Sequence, residues 1–291
     1  MASSSKGDDP SPALPGETAR PPGPAAGRAQ RLAGRVRPVL PGGGGRGRPA
    51  VLAELAILLL TLFVFQRVHA ATGTDAAVAT ANARALQAVE SALHLDIVPG
   101  MNRWLVEHPA LVKPAVYYYR LYYAVVLGVL VWVFVRHAEV YRHVRRTLVA
   151  MCLLVLPVYW AVPMSPPRFA LPGVVDVIAA NDILGAHVSK EITAGQNVYS
   201  AMPSMHTAWS LWCAYAAWSA LRVGNPRWAL LPWLFPAGMI AVVFATGNHY
   251  VLDVAGSFVL LGLAVAVAAA WGSLSARRRG ERPRAGRPLS P

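Results

Sequence analysis

The chain has 291 residues, of which 55% are hydrophobic and only 14% charged, and its mean hydropathy is +0.40. An average soluble domain is less apolar and carries about a quarter charged residues, so this composition speaks against one or two ordinary soluble domains. The formal charge of +13 gathers in the tails, with eight Lys or Arg in residues 1–48 and six Arg in 277–287. Basic tails beside apolar blocks mark membrane topology or contact with anionic lipid, and nucleic acid is not an expected partner.

Residues 1–48 are rich in Pro, Gly, Ala and Arg and include the run Gly42–Gly45. Such a segment buries too little apolar surface to offset its ordering entropy, so a disordered basic cytoplasmic tail is expected there. The basic leader is too long for a cleavable signal peptide, although Val68-His69-Ala70 faintly resembles a cleavage site.

Six apolar blocks of membrane-crossing length follow, near 50–68, 115–136, 146–164, 203–222, 228–246 and 250–272. A crossing helix needs about 20 such residues. The stretch 74–112 mixes apolar residues with Asp75, Arg84, Glu90, Asp96, Arg103 and Glu107. Its spacing predicts one or two amphipathic helices at the membrane surface, broken at Pro99-Gly100. A tight turn near Gly247 has to join the last two blocks. The expected architecture is all-α: a six-span transmembrane helical bundle over 49–273, between the disordered tail and a second basic tail at 274–291.

Orientation follows from the basic residues. Arg136, Arg142, Arg145 and Arg146 follow the second block, and Arg222 and Arg227 follow the fourth. Alternation puts these loops and both tails on one side, the cytoplasm. Residues 69–114, 165–202 and 246–249 then face the other side of a cell membrane. Cys152 and Cys213 sit inside apolar blocks and read as buried free thiols, since a disulfide framework or a zinc site needs other spacings.

Three polar clusters fall at span mouths on that outer side, where polar groups are expensive and usually functional. The first is Pro166-Pro167-Arg168, whose arginine can clamp a phosphate in two-pronged fashion or serve as a solvated charge. The second runs from Asn197 to Pro203-Ser204-Met205-His206. With Pro203 as first helical residue, the first-turn N–H groups and Ser204 can face a phosphate oxygen, and His206 can protonate a leaving oxygen. An ordinary helix start with an interfacial histidine fits equally well.

The third cluster is Thr246-Gly247-Asn248-His249-Tyr250, with Asp253 further on. His249 and Asp253, four apart, share one helix face, and the carboxylate can hold one ring nitrogen and leave the other free as a nucleophile. A pair that merely satisfies itself within a packed bundle has the same spacing. Arg120, within Tyr117-Tyr-Tyr-Arg120-Leu-Tyr-Tyr123, belongs either to an interfacial aromatic belt or to a second phosphate contact.

The order Arg, Pro-Ser-x-His, His-x-x-x-Asp resembles the type 2 phosphatidic acid phosphatase superfamily over about residues 50–272. Ala161 and Val243 stand where that family usually carries a Lys and an Arg. Pro-Pro-Arg, Ala-Met-Pro-Ser-Met-His-Thr-Ala-Trp and Thr-Gly-Asn-His-Tyr look more like its inositolphosphotransferase branch, the aureobasidin-resistance and inositol phosphorylceramide synthase-like proteins. The resemblance implies a helical bundle without a metal or other cofactor, and His249 as a nucleophile that forms a phosphohistidine. It further implies Asp253 as its orienting carboxylate and His206 as acid and then base. By the same resemblance Arg168 and Ser204 would hold the phosphoryl oxygens, and Asn248 and Arg120 are expected as further phosphate contacts.

The expected activity is that of a lipid phosphatase or phosphotransferase. Its partners are a lipid phosphate or phospholipid, the bilayer itself and a hydroxyl-bearing acceptor. Two other classes share part of the pattern, a vanadium haloperoxidase-like oxidoreductase and a non-catalytic membrane transporter or scaffold.

Overall fold

The computed structural model describes residues 49–72, 75–181 and 197–280. The expected N-terminal tail lies outside these residues, as does most of the C-terminal one. All regular structure among the described residues is helical, apart from one isolated parallel bridge between Met164 and Ser200.

Helix α1 spans Val51–Ala71 and is apolar all round, with only Glu54 and Phe65 buried. An apolar helix left this exposed calls for lipid rather than water. Helices α2 (Ala76–Ala92) and α3 (Val98–Val106) fill the expected amphipathic stretch. Asp75 caps α2 by accepting the N–H groups of Ala77 and Val78. The break between them falls before Pro99, which sits in the first turn of α3. A proline there loses no hydrogen bond, so it starts the helix.

Helix α4 (Pro109–Arg136) and helix α5 (Ala138–Ala161) are longer than the apolar blocks that announce them, and only His137 separates them. The arginines expected in a loop, Arg142, Arg145 and Arg146, lie on α5 instead. Arg145 Nη1 donates to Glu54 at 2.7 and 2.9 Å, and the Tyr141 hydroxyl donates to the same carboxylate at 3.0 Å. This buried pair ties α1 to α5, since a carboxylate in an apolar bundle needs its cation.

After the short helices α6 (Pro167–Ala170) and α7 (Val177–Ala180) comes α8, Met205–Leu221. Most of α8 is buried on every side, and Ala208, Ala214, Ala216 and Ala217 let its neighbours approach closely. A 3₁₀ turn (Trp228–Trp233), α9 (Leu234–Ala245) and α10 (Val251–Gly280) complete the bundle around it. The core holds Tyr122, Val144, Met151, Val155, Trp212, Met239 and Ala264.

Among the described residues five helices, not six, are long and apolar enough to cross a membrane: α1, α4, α5, Trp228–Ala245 and α10. The expected fourth span is α8, which has only 17 residues. Ser204 caps it at one end and Arg222 closes it at the other, so it is about 25 Å long against a hydrocarbon layer of about 30 Å.

Candidate active site

The clusters at Arg168, His206 and His249 come together at one end of the bundle. The opposite end carries Arg136, Arg142, Arg146 and Arg222, and there the Arg146 guanidinium lies 5.6 Å from the Trp271 ring. A cavity of about 430 Å³ opens among the first set, and Arg120, Arg168, His206, Asn248 and His249 all line it.

The turn that presents His249 is built on Gly247, whose φ is +70°. A Cβ there would stand 2.6 Å from Val174 Cγ1. Its carbonyl accepts the backbone N–H of Arg168 at 2.9 Å, which joins the first cluster to the third. Asn102, on α3 and almost wholly buried, holds this junction from behind. Its Nδ2 donates to the carbonyls of Val175 and Ala245, and its Oδ1 accepts the Val175 N–H.

His249 is nearly buried, and its Nδ1 lies 2.9 Å from the Ala201 carbonyl and 3.4 Å from Asp253 Oδ2. A carbonyl only accepts, so Nδ1 carries a proton in this contact, and in the neutral ring the lone pair lies on Nε2. Asp253 is fully buried behind the ring and does not line the cavity. Its Oδ2 also accepts the Tyr250 N–H at 2.8 Å, the backward reach of a capping box at the start of α10.

His206, in the first turn of α8, stacks on Tyr119 with ring centroids 4.1 Å apart and meets Tyr122 at 4.7 Å. Its ring centroid lies 5.9 Å from that of His249. The two imidazoles flank one space, close enough for a phosphoryl group to touch both.

Arg168 is held from three sides. Its Nη1 donates to Asn248 Oδ1, its Nε lies 3.2 Å from Asp176 Oδ2, and its guanidinium rests 4.5 Å from the Phe169 ring centre. Asn248 Oδ1 also accepts from the Tyr119 hydroxyl at 3.3 Å, and its Nδ2 donates to Thr246 Oγ1 at 2.6 Å. That network sets the direction of the amide and aims the arginine.

Ser204 stands apart from the other expected phosphate contacts. It is fully buried and is not among the cavity residues. Its hydroxyl caps α8 by accepting the Thr207 N–H at 3.3 Å and lies 3.1 Å from Thr207 Oγ1. Pro203 precedes the cap and is therefore not the first helical residue.

Sequence reasoning overlooked the Ala201 carbonyl, Asn102 and Glu90. Glu90, on α2, is fully buried and accepts the Leu252 N–H at 2.7 Å, so a second carboxylate supports the start of α10. Burial pushes its carboxyl up to about 6, with the nearby Asp253 charge adding to the rise and the Leu252 N–H opposing it. The Tyr250 phenol is likewise pushed up by burial. A glutamate among other charges on an amphipathic stretch gives no sign that it points inward. His69 is a further omission; it too lines the cavity.

One family model, that of the PAP2 superfamily, matches residues 84–267, and the chain belongs to this superfamily. No curated protein and no solved structure matches it. Membership supports a lipid phosphatase-like function, acting on phosphoric esters at the membrane that the apolar helices call for.

Proposed function

We propose that the protein cleaves a lipid phosphoester by double displacement through a phosphohistidine, and passes the phosphoryl-bearing group to water or to the hydroxyl of an acceptor. The observation that carries this reading is the His249 ring, protonated on Nδ1 by its contact with the Ala201 carbonyl and facing His206 across the cavity. His249 Nε2 attacks phosphorus and the bond to the leaving oxygen breaks. Protonated His206 gives its proton to that oxygen. The acceptor then loses a proton to His206 and attacks the phosphohistidine, which frees His249 and restores both histidines.

Arg168, aimed by Asn248, and Arg120 supply the positive charge that the phosphoryl oxygens need. Asp253 stabilises the charge that develops on the His249 ring. Ala161 and Val243, where related proteins usually carry cations, are not among the cavity residues. The motif forms around Arg168, His206 and His249 favour transfer of a head group, of the inositol-phosphate type, over simple hydrolysis. In this reading α8 is a sixth span shielded by the others, and the cavity opens on the extracytoplasmic side of a cell membrane.

The test is a panel of radiolabelled lipid phosphates given to the purified protein, with and without lipid hydroxyl acceptors. An acid-labile, base-stable phosphoprotein is expected in wild type and not in His249→Ala. Full turnover in His249→Ala overturns the mechanism, and the acceptor arm separates transfer from hydrolysis.

A further inference from the structure

Part of the cavity wall carries no arginine or lysine. It comes from the last turns of α1 and from the extended segment that leads into α8: Phe65, Gln66 and His69 on one side, Asn197 and Ser200 on the other. Helix α1 lies wholly outside the matched residues 84–267. It is nevertheless fixed at both ends, by the Glu54–Arg145 pair and by His69, whose Nε2 lies 2.9 Å from Ser200 Oγ.

The His69 ring is also held. It stacks on Phe65 at 5.5 Å and meets Tyr159 edge-on at 5.2 Å. Asn197, 9% exposed, accepts the Tyr199 N–H on its Oδ1 at 2.8 Å, while its Nδ2 is buried without a hydrogen-bond partner. A buried donor without an acceptor is costly, and the residue that carries it also lines the cavity. The Ser200 hydroxyl donates to the Asn197 carbonyl at 3.4 Å and touches His69, and its oxygen keeps room to accept from a ligand hydroxyl. Gln66, Asn197 and Ser200 are neutral, and the aromatic rings beside them suit carbon faces. Such a wall fits an uncharged, hydroxylated group and not a second anion.

We propose that His69, Ser200 and Asn197 form a subsite for the alcohol portion of the phosphoester and select an alcohol that carries a free hydroxyl. The assignment rests on the phosphoryl reading above, which fixes where the ester bond lies. The PAP2 core then supplies the phosphoryl chemistry, and α1 supplies a specificity wall outside it. In this role His69 is a specificity residue, held by Ser200 and without part in the bond-making steps.

Glycerol 3-phosphate and n-propyl phosphate share a phosphoryl group and a three-carbon chain and differ in two hydroxyls. Their dissociation constants, and that of inorganic phosphate, can be read from ligand-induced stabilisation of the full-length protein in detergent. Wild type should bind the glycerol ester about tenfold more tightly than the propyl ester, roughly the worth of one buried hydrogen bond. Asn197→Ala and Ser200→Ala should bring the two esters to within about twofold of one another, with inorganic phosphate unchanged. His69→Phe should do the same, and His69→Gln should restore part of the preference. Unchanged phosphate binding serves as the folding control for each variant.

Equal affinity for the two esters in wild type, or a preference that survives in all of these variants, overturns the subsite. Binding of phosphate without either ester does so too. Failure of wild type to bind phosphate at all overturns the phosphoryl reading, and the subsite with it.

Discussion

Glu90 Oε1 accepts the backbone N–H of Leu252 at 2.7 Å, so a carboxylate from outside the spans anchors the first turn of the helix that follows His249. The groups facing it are that N–H, its neighbour on Val251, and the carboxylates of Asp253 and Asp96. Its carboxyl stands at about 6 against an ordinary 4.5, chiefly because burial disfavours the ion. The folded protein therefore binds this proton more tightly than the unfolded chain does. The stabilisation is fully present below about 4.5 and is lost as the pH rises through about 6. Glu90→Gln keeps an acceptor for Leu252 and does not titrate. Melting curves from pH 4 to 7.5 should show wild type losing ground to Glu90→Gln across that window. A difference that stays flat would mean that Glu90 does not change charge there.

Gly247→Ala should cost stability twice over. The position has φ +70°, and the added methyl would lie 2.6 Å from Val174 Cγ1. Left-handed backbone costs a side chain about 1–2 kcal/mol, and an overpacked contact adds about 1–3. Because the Gly247 carbonyl holds the Arg168 N–H, turnover should fall as well. Val174→Ala in the same protein should recover the steric part and leave the backbone part. Full recovery in the double variant would show that conformation at 247 is immaterial.

Asn248→Ala removes the acceptor that aims Arg168, and Asp176 then competes for the guanidinium without opposition. If Arg168 binds phosphoryl oxygens, turnover should drop by about 10²-fold, the scale on which small misplacements act. The inhibition constant of inorganic phosphate should rise about tenfold. Weaker stability with unchanged phosphate inhibition would mark the Asn248 network as packing alone.

The apolar blocks and the three polar clusters were legible because each is a local pattern. Pro166–Arg168, Pro203–His206 and Asn248–Asp253 announce themselves within a few residues, and the structure gathers five of the seven expected site residues round one cavity. What stayed hidden depends on contacts between distant segments. Ala201 acts through its carbonyl, and a backbone group leaves no mark in the sequence. Asn102 and Glu90 belong to the stretch expected at the membrane surface, and only the folded positions of α3 and α2 turn them inward, onto Ala245 and Leu252. Ser204 is ambiguous in sequence, since a serine beside a histidine suits a phosphate as well as a helix cap, and the structure shows it as the cap. The helix ends beyond the apolar blocks were hidden too, because the polar residues that extend α5 find partners such as Glu54 only in the folded bundle.

The orientation can be checked with cysteines at exposed positions on the two ends. Val175, beside the Arg168 turn, is 43% exposed, and Val223, beyond α8, is 89% exposed. The native Cys152 and Cys213 are buried, so background labelling should be low. An impermeant thiol reagent applied to intact cells should modify Val175→Cys and spare Val223→Cys. The reverse pattern would put the cavity on the cytoplasmic side.

Asp253→Asn separates chemistry from packing. From sequence alone the carboxylate has two tasks, to fix the His249 tautomer and to stabilise the charge on the ring. The structure hands the first to the Ala201 carbonyl, which at 2.9 Å is nearer to Nδ1 than Asp253 is at 3.4 Å. What remains to Asp253 is the charge, together with the cap on the Tyr250 N–H. Asparagine keeps an oxygen for that cap, so the variant should stay folded and inserted. It brings no negative charge to the imidazolium that forms when Nε2 bonds to phosphorus. Turnover per folded molecule should therefore fall by about 10²-fold. That is less than the roughly 10⁴ seen where such a change also imposes the wrong tautomer. Thermal stability should change little, or rise, because a buried ionised group is costly to desolvate. The comparison to make is turnover and melting temperature on the same detergent samples of wild type, Asp253→Asn and Asp253→Ala, the last of which loses the cap as well. Near-normal turnover in well-folded Asp253→Asn would leave the pair a helix-capping device and would remove the charge from the mechanism. A loss of 10⁴ or more would show that Ala201 alone does not hold the ring.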